Sequence, residues 1–468
     1  MSRIEQNSLR ELLRHEELNF VQQGLLLWEG LALDCEGFLN AVQRITRKKV
    51  LYIADSLFDF EHIQQLFSCY PRGDYISLWV MGNLASFPEF EKQTRMLDCL
   101  DLSSRLLGGI PDNIENLSYL QSLDLEDNDL AEIPSTIGGL RRLEVLRLGW
   151  NGLSRLPESV GELLCLAELS VQVNELTELP TSLGRLANLR RLNIASNHLH
   201  HLPASLKHLH RLRELDASDN ALVSLDSSLS GMAQLEVLSL AQNNLRYLPE
   251  ELGSLKQLEE LELTYNQIKM LPSSIGKLKN LSVLSLCGNR IQRLPQSLEH
   301  LSSLVELDVS ENGLVELPQN IHRLSQLVEL DLNYNSLRKL PKDFGQLRQL
   351  KKLFLSRSGL RILPEYIGEL LKLRELDVSD NRLQFLPESL GELRFLRKLN
   401  LLGNELKSLP FGLIELRSLQ ELYLDKRHMC LLPEDIDQQD RLKIFDINPN
   451  GLELLFGEEE LVREYSVS

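Results

Sequence analysis

The sequence predicts an α/β solenoid, a curved horseshoe with a parallel β-sheet on its concave face and short helical or irregular segments on its convex face. Three observations predict it. A unit of the form L-x-x-L-x-L-x-x-N-x-L returns with a fixed period, its first leucine at Leu97, Leu120, Leu143 and so on to Leu442, as sixteen units without insertion or deletion. Within each unit the pattern alternates as a strand does, as in Leu123-Asp124-Leu125, with leucines inward and the residue between them outward. A proline then opens the second half of fourteen of the sixteen units, as in Leu271-Pro272-Ser273-Ser274-Ile275-Gly276-Lys277-Leu278. A chain of 468 residues would otherwise suggest two to four domains, but a repeat array grows in one dimension without a central core.

Residues 1–96 do not follow the repeat. Ser8 to Gln23 places Leu9, Leu12, Leu13, Phe20 and Val21 near one helical face. Phe38 to Arg47 reads as a second helix, and its basic end (Arg44, Arg47, Lys48, Lys49) complements a helix C-terminus. Val50 to Ile53 and Ile76 to Val80 are β-like, with a helical Phe60 to Phe67 between them. That rhythm, with Leu84, Phe87 and Pro88 matching the second half of a unit, predicts degenerate leading repeats that shield the first regular one. A separate helical interaction domain is the alternative. The organisation is therefore 1–96 as an N-terminal capping segment, 97–455 as repeats and 456–468 as a polar tail.

Each part of the unit has a physical role. The Asn column (Asn128, Asn151, Asn174 and onward) turns the chain and satisfies backbone groups in the interior, since an amide both donates and accepts. Arg105, Ser358 and Arg427 replace it, which predicts weaker local ladders. Proline starts the helical segment where its missing N–H does no harm, and glycine recurs where the segment bends toward the next strand. Asp226 replaces proline and Ala217 a core leucine in one unit, so Leu212 to Met232 reads as the softest part. The altered unit Phe445-Asp446-Ile447-Asn448-Pro449-Asn450, with Phe456 where proline would stand and Glu458-Glu459-Glu460 after it, reads as a C-terminal cap.

These residues carry a family resemblance. The 23-residue unit resembles the Ras-group leucine-rich repeat proteins, which include the Ras-binding, phosphatase-associated scaffold of animals, the plant intracellular Ras-group proteins and the repeats of Scribble and Erbin. It covers about 97–455. The resemblance implies a leucine-rich repeat solenoid, a non-enzymatic protein-interaction scaffold in intracellular signalling, and a small GTPase or a phosphatase as partner. The alternative is a substrate-recognition receptor or effector subunit associated with an enzyme such as a ubiquitin ligase or phosphatase.

Composition and motifs agree with a binding role. A net charge of −17 argues against binding a phosphate backbone and favours partners with basic patches. No apolar leader and no membrane-spanning run is visible. Six scattered cysteines without end-capping clusters point to a reducing, cytoplasmic setting. There is no phosphate loop, no H-E-x-x-H and no C-x-x-C, so no catalytic residue, cofactor or metal is assigned. His198, His200, His201, His208 and His210 lack metal spacing, and Cys35 between Asp34 and Glu36 would have a raised thiol pKa, opposite to activation.

Partner binding must use the variable outward positions. Two strand columns face the concavity, one running from Cys99 to Ile444 and the other from Asp101 to Asp446, and together they hold fifteen acids against four bases. The acids are densest from Glu214 to Asp377, and Glu260, Glu262, Glu306, Asp308, Glu329 and Asp331 are the candidate contacts. An acidic groove steers a basic partner. Aromatics interrupt the polar pattern at Trp150, Tyr265, Tyr334, Phe354 and Tyr423. Tyr334, Phe354 and Arg357 on adjacent units form the first candidate patch, and Trp150 with Val145 and Val173 the second.

Overall fold

The structure is a computed structural model, and it describes residues 50–54, 77–81, 99–104, 106–225, 229–433, 436, 442–448 and 451–456. The helices expected before Val50 and over 60–67, the repeat match at 84–88, Cys35, Arg105, Asp226, Asn450 and the acidic tail lie outside the described residues. The chain divides into two compact units, Met1–Leu212 and Arg213–Ser468.

In the first unit, β1 (Val50–Ala54) and β2 (Ser77–Met81) form a parallel pair, as the β-like pattern of the leading segment predicts. Five three-residue strands follow, β3 (Cys99–Asp101), β4 (Ser122–Asp124), β5 (Val145–Arg147), β6 (Glu168–Ser170) and β7 (Arg191–Asn193). They pair in parallel, and each register step is one full repeat, Leu100 to Leu123 to Leu146 to Leu169 to Leu192.

The second unit repeats this with β8 (Glu214–Asp216), β9 (Val237–Ser239), β10 (Glu260–Glu262), β11 (Val283–Ser285), β12 (Glu306–Asp308), β13 (Glu329–Asp331), β14 (Lys352–Phe354), β15 (Glu375–Asp377), β16 (Lys398–Asn400) and β17 (Glu421–Tyr423). β18 (Lys443–Asn448) joins in parallel, and β19 (Gly451–Phe456) turns back on it antiparallel, so the ladder ends in a hairpin.

The last strand corrects the expected register. Glu421 pairs with Lys443 and Leu422 with Ile444, a step one residue short of the repeat. Ile444 is therefore buried in the core instead of facing outward, and Lys443 and Phe445 take the two outward columns in place of Ile444 and Asp446. The shortening falls between Leu442, buried a full repeat after Leu419, and Ile444, since the Lys443 N–H still bonds the Gln420 carbonyl one repeat back (2.8 Å). In the preceding coil Arg427 stands where the amide should, and a six-residue 3-10 segment, Lys426–Leu431, replaces the usual turn.

The asparagine ladder explains why the turn recurs. In Asn174 the side-chain oxygen accepts the Leu153 N–H (3.0 Å) and the nitrogen donates to the carbonyls of Leu148 (3.0 Å), Val171 (3.0 Å) and Gln172 (3.2 Å). Asn289 makes the same four bonds to Ile268, Leu263, Leu286 and Cys287. Each amide ties its own turn to the preceding coil, which buried backbone groups require. Ser358 keeps only part of this. Its hydroxyl donates to the Leu332 carbonyl (2.8 Å), but among the described residues nothing replaces the amide oxygen that would accept the Leu337 N–H.

The convex side is built from single 3-10 turns, mostly of five residues, such as Ser273–Lys277. Proline occupies the extended residue before the turn, not its first helical position. Pro272 has φ −65° and ψ 150°, and its carbonyl accepts the Ile275 N–H. The glycines serve close packing rather than bending. A Cβ on Gly138 would lie 2.8 Å from the Ser159 carbonyl oxygen, and one on Gly253 2.7 Å from that of Ser274. Glu299 and His322 stand where this glycine should. The segments of the coils that follow, Ile321–Arg323 and Phe344–Gln346, are three residues long.

Candidate functional site

The outward residues of the strands form two columns, and neighbours within a column lie one strand spacing apart, about 4.8 Å. With the shifted last strand, the columns hold one acid fewer and one base more than expected.

Many of the acids already have work inside the fold. In the second column Asp308 accepts the Ser310 N–H (2.8 Å), Asp331 that of Asn333 (2.8 Å), Asp377 that of Ser379 (2.8 Å) and Glu262 that of Thr264 (3.0 Å). These carboxylates cap the turn two residues on, an Asx-type bond that a strand-end residue makes readily. The sequence pattern of an acid two residues before Ser, Thr or Asn carries this signal, and reading the acids as purely electrostatic misses it. In the first column Lys352 pairs with Glu329 (2.8 Å) and Lys398 with Glu375 (3.2 Å). Glu260 and Glu306 are exposed.

The charge is most crowded at Asp331. Burial pushes its carboxyl up to about 6, the Asn333 N–H opposes the rise, and Asp308, Glu329 and Asp377 add to it. Phe354 sits in the same column, in register between Asp331 and Asp377 and half-buried. In the first unit the crowding is relieved. Arg147 bonds Glu168 (2.9 Å) and lies 3.5 Å from Asp124, and Arg191 reaches Glu168 from the other side (3.2 Å). Asp124 is still raised, chiefly by burial.

The exposed aromatics belong to a different ridge. The residue before each asparagine adopts the left-handed conformation, with φ 56° at Trp150, 51° at Tyr265, 52° at Tyr334 and 50° at Arg357. The turn demands it, because the N–H there continues the inter-coil ladder, as from Trp150 to the Gln172 carbonyl (2.9 Å) and from Tyr334 to that of Ser356 (2.8 Å). Trp150, Tyr265 and Tyr334 are 60%, 53% and 48% exposed. Bulky residues are uncommon in this conformation. Nothing in the one-dimensional pattern marks it, since the position tolerates Asp, Ser, Gln, Val and Trp alike.

Of the expected patch, Tyr334 and Arg357 come together, with the guanidinium carbon 5.1 Å from the ring centroid and its Nε bonded to Asp380 (2.9 Å). Phe354 is in the strand column, not on the ridge. Trp150 neighbours Val173 on the ridge, whereas Val145 is a strand-column residue. Tyr423 is not a free contact. It is half-buried, stacks on Phe445 (5.3 Å), lies under Lys398 (5.5 Å) and bonds Glu421 (3.0 Å).

Among the described residues no group of His, Cys, Asp and Glu could hold a metal ion. Burial pushes the Cys287 thiol up, and Asp308, Glu311 and Asp331 push it further, the opposite of an activated nucleophile. No helix of the described residues is long and apolar enough to cross a membrane.

Comparison with known proteins matches this geometry. A family profile described as a leucine-rich repeat region covers residues 92–227 and 223–312, and two described as leucine-rich repeats cover 306–360 and 372–393. A leucine-rich repeat protein of Leptospira interrogans is 34% identical, over 77% of this chain and 93% of that one, with a TM-score of 0.69. A TDR receptor is 29% identical over 74% of this chain and 63% of that one, with a TM-score of 0.63. The repeat ectodomain of the Arabidopsis receptor kinase HAESA, solved with a peptide hormone ligand, is 26% identical over 80% and 69%, with a TM-score of 0.55. No curated protein matches the chain.

Proposed function

This chain belongs to the leucine-rich repeat family, commonly a non-enzymatic protein-binding fold, and on that premise we propose that it is an interaction scaffold that holds a basic protein segment on the strand columns of the second unit. The observation that carries the proposal is the crowding at Asp331. Carboxylates that raise one another's pKa are held at a cost, and a bound cation relieves that cost. Glu260, Glu306 and Glu329 extend the anionic track, and Phe354 supplies an apolar contact in its middle. Tyr265, Tyr334 and Arg357 would form the rim, since Tyr and Arg concentrate binding energy.

An extended segment fits better than a globular surface, because the columns run across successive coils. The peptide-bound plant relative supports that mode. Participation in Ras-type signalling, with a small GTPase or phosphatase supplying the basic segment, belongs to this proposal, as does a cytoplasmic setting. Free Cys165, Cys287 and Cys430, two of them exposed, support a reducing compartment.

Calorimetric titration of the full chain with an arginine- and lysine-rich oligopeptide tests the reading. Binding should weaken steeply with salt and fall about tenfold in a Glu260→Gln, Glu306→Gln, Glu329→Gln variant. Binding that ignores both salt and these substitutions would sink it.

A further inference from the structure

The strand edge opposite the aromatic ridge carries the reverse charge. On four consecutive coils, residues 348–420, the three positions flanking the first core leucine contain no acid. Lys351, Arg374 and Arg397 are stacked directly, since the Arg374 N–H donates to the Lys351 carbonyl (2.7 Å) and the Arg397 N–H to that of Arg374 (2.8 Å). Arg348, Arg394 and Arg417 stand beside them, all exposed.

Like charges in register destabilise a sheet edge, and several cations in the same columns elsewhere have partners. Arg213, in the column of Arg374, pairs with Glu236 on the next coil (3.3 Å). Lys256 and Lys279, in the column of Arg348, donate to the carbonyls of Gly253 (2.7 Å) and His300 (2.7 Å). Among the described residues none of the six cations has an ion-pair partner. Glu375, adjacent to Arg374, is already neutralised by Lys398 (3.2 Å).

Two large apolar side chains project from the middle of this cationic edge, Leu371 (57% exposed) and Phe395 (61% exposed). We infer that this edge is a docking surface for an anionic membrane, with the cations meeting lipid phosphates and Leu371 and Phe395 entering the acyl boundary. Clusters of about four to eight Lys and Arg have the charge needed to hold a protein on an anionic leaflet. Flanked apolar side chains are the pattern of interfacial rather than spanning association.

An acidic peptide fits less well. The groove at the edge, about 730 Å³, is lined by Glu365, Glu369 and Glu392 beside Arg348 and Lys372, so three of its five charged residues repel an acidic chain entering it. A planar surface needs only the edge. A nucleic acid would leave Leu371 without a partner, because an aliphatic side chain offers no ring to stack on a base. The inference does not rest on the concave-face proposal, which uses other residues and the opposite charge.

Co-sedimentation of the full chain with vesicles tests it. The protein should pellet with phosphatidylcholine vesicles containing phosphatidylserine and stay in solution with phosphatidylcholine alone. Arg374→Gln with Arg397→Gln should weaken binding about fivefold per cation removed, and Arg374→Lys with Arg397→Lys should retain it. Leu371→Ser with Phe395→Ser should weaken binding while leaving its preference for the anionic lipid. Lys256→Gln with Lys279→Gln should change nothing, with circular dichroism checking the fold of each variant. Equal recovery on both vesicles, binding indifferent to Arg374 and Arg397, or capture by polyglutamate or an RNA oligonucleotide in place of the vesicles would each overturn the inference.

Discussion

The coils from Leu120 to Asn193 and those from Glu260 to Asp377 are built from one motif, yet their outward faces differ. In the first stretch Arg147 and Arg191 share Glu168 between them, and Arg147 also lies 3.5 Å from Asp124. In the second, Asp308, Asp331 and Asp377 share a column with no cation in it, and Asp331 is driven up to about 6. The interior is indifferent to this. Asn174 and Asn289 make the same four bonds in the two stretches. The difference teaches that the repeated residues carry the common interior while the unrepeated ones set the surface charge, so one can be changed without the other.

The largest expected effect tests the part that should not differ. Asn174→Ala and Asn289→Ala each strand buried donors and acceptors, and each should cost about 3 kcal/mol in denaturant unfolding. Unequal losses would break the claim of a common interior. Gly138→Ala and Gly253→Ala come next. Each places a Cβ against a serine carbonyl of the following coil, and each should cost about 2 kcal/mol.

Charge is where the two regions should part. The raised Asp331 carboxyl binds its proton in the folded state before the unfolded chain does. Its contribution therefore grows as pH falls from about 6 towards the ordinary value of 3.8, and is absent above that window. Asp331→Asn should stabilise the protein by about 1 kcal/mol at neutral pH, after allowance for solvent screening, and flatten this part of the stability–pH curve. Glu158 and Glu250 have the opposite sign. Ser182 and Ser274 hold their carboxyls below the ordinary value, so the stability they add is present at neutral pH and lost on acidification through their lowered pKa values. A curve for Asp331→Asn that matches the wild type would remove the crowding argument.

The smallest effect concerns the aromatic ridge. Trp150→Gly and Tyr334→Gly relieve left-handed backbone and should leave stability unchanged or raise it by about 0.5 kcal/mol. The Tyr334 variant should weaken binding of the basic oligopeptide. Stability lost at Tyr334 would instead assign the ring, with Arg357 packed on it, to the fold.

The repeat was legible because the core positions recur. Leu123, Asn128 and Pro134 announce strand, turn and convex segment in any window that contains them, since buried leucines and an amide bonded on four sides tolerate few replacements. The same logic failed where the path changed length. Leu442 keeps the repeat spacing, but only one residue separates it from the next core residue, Ile444, and the outward columns shift to Lys443 and Phe445. It failed again at the second acidic column, where Asp308 and Asp331 are turn caps as well as surface charges.

The sequence by itself determined the coil, the strand register within each unit through β17 and the outward columns of the strands, because burial restricts those residues and restriction produces a pattern. Only the tertiary structure decided which outward charges are neutralised, which aromatics stand exposed on left-handed backbone, and which edge gathers unpaired cations. Those outcomes depend on neighbours a full repeat away in the chain and one strand apart in space, and no local motif records them.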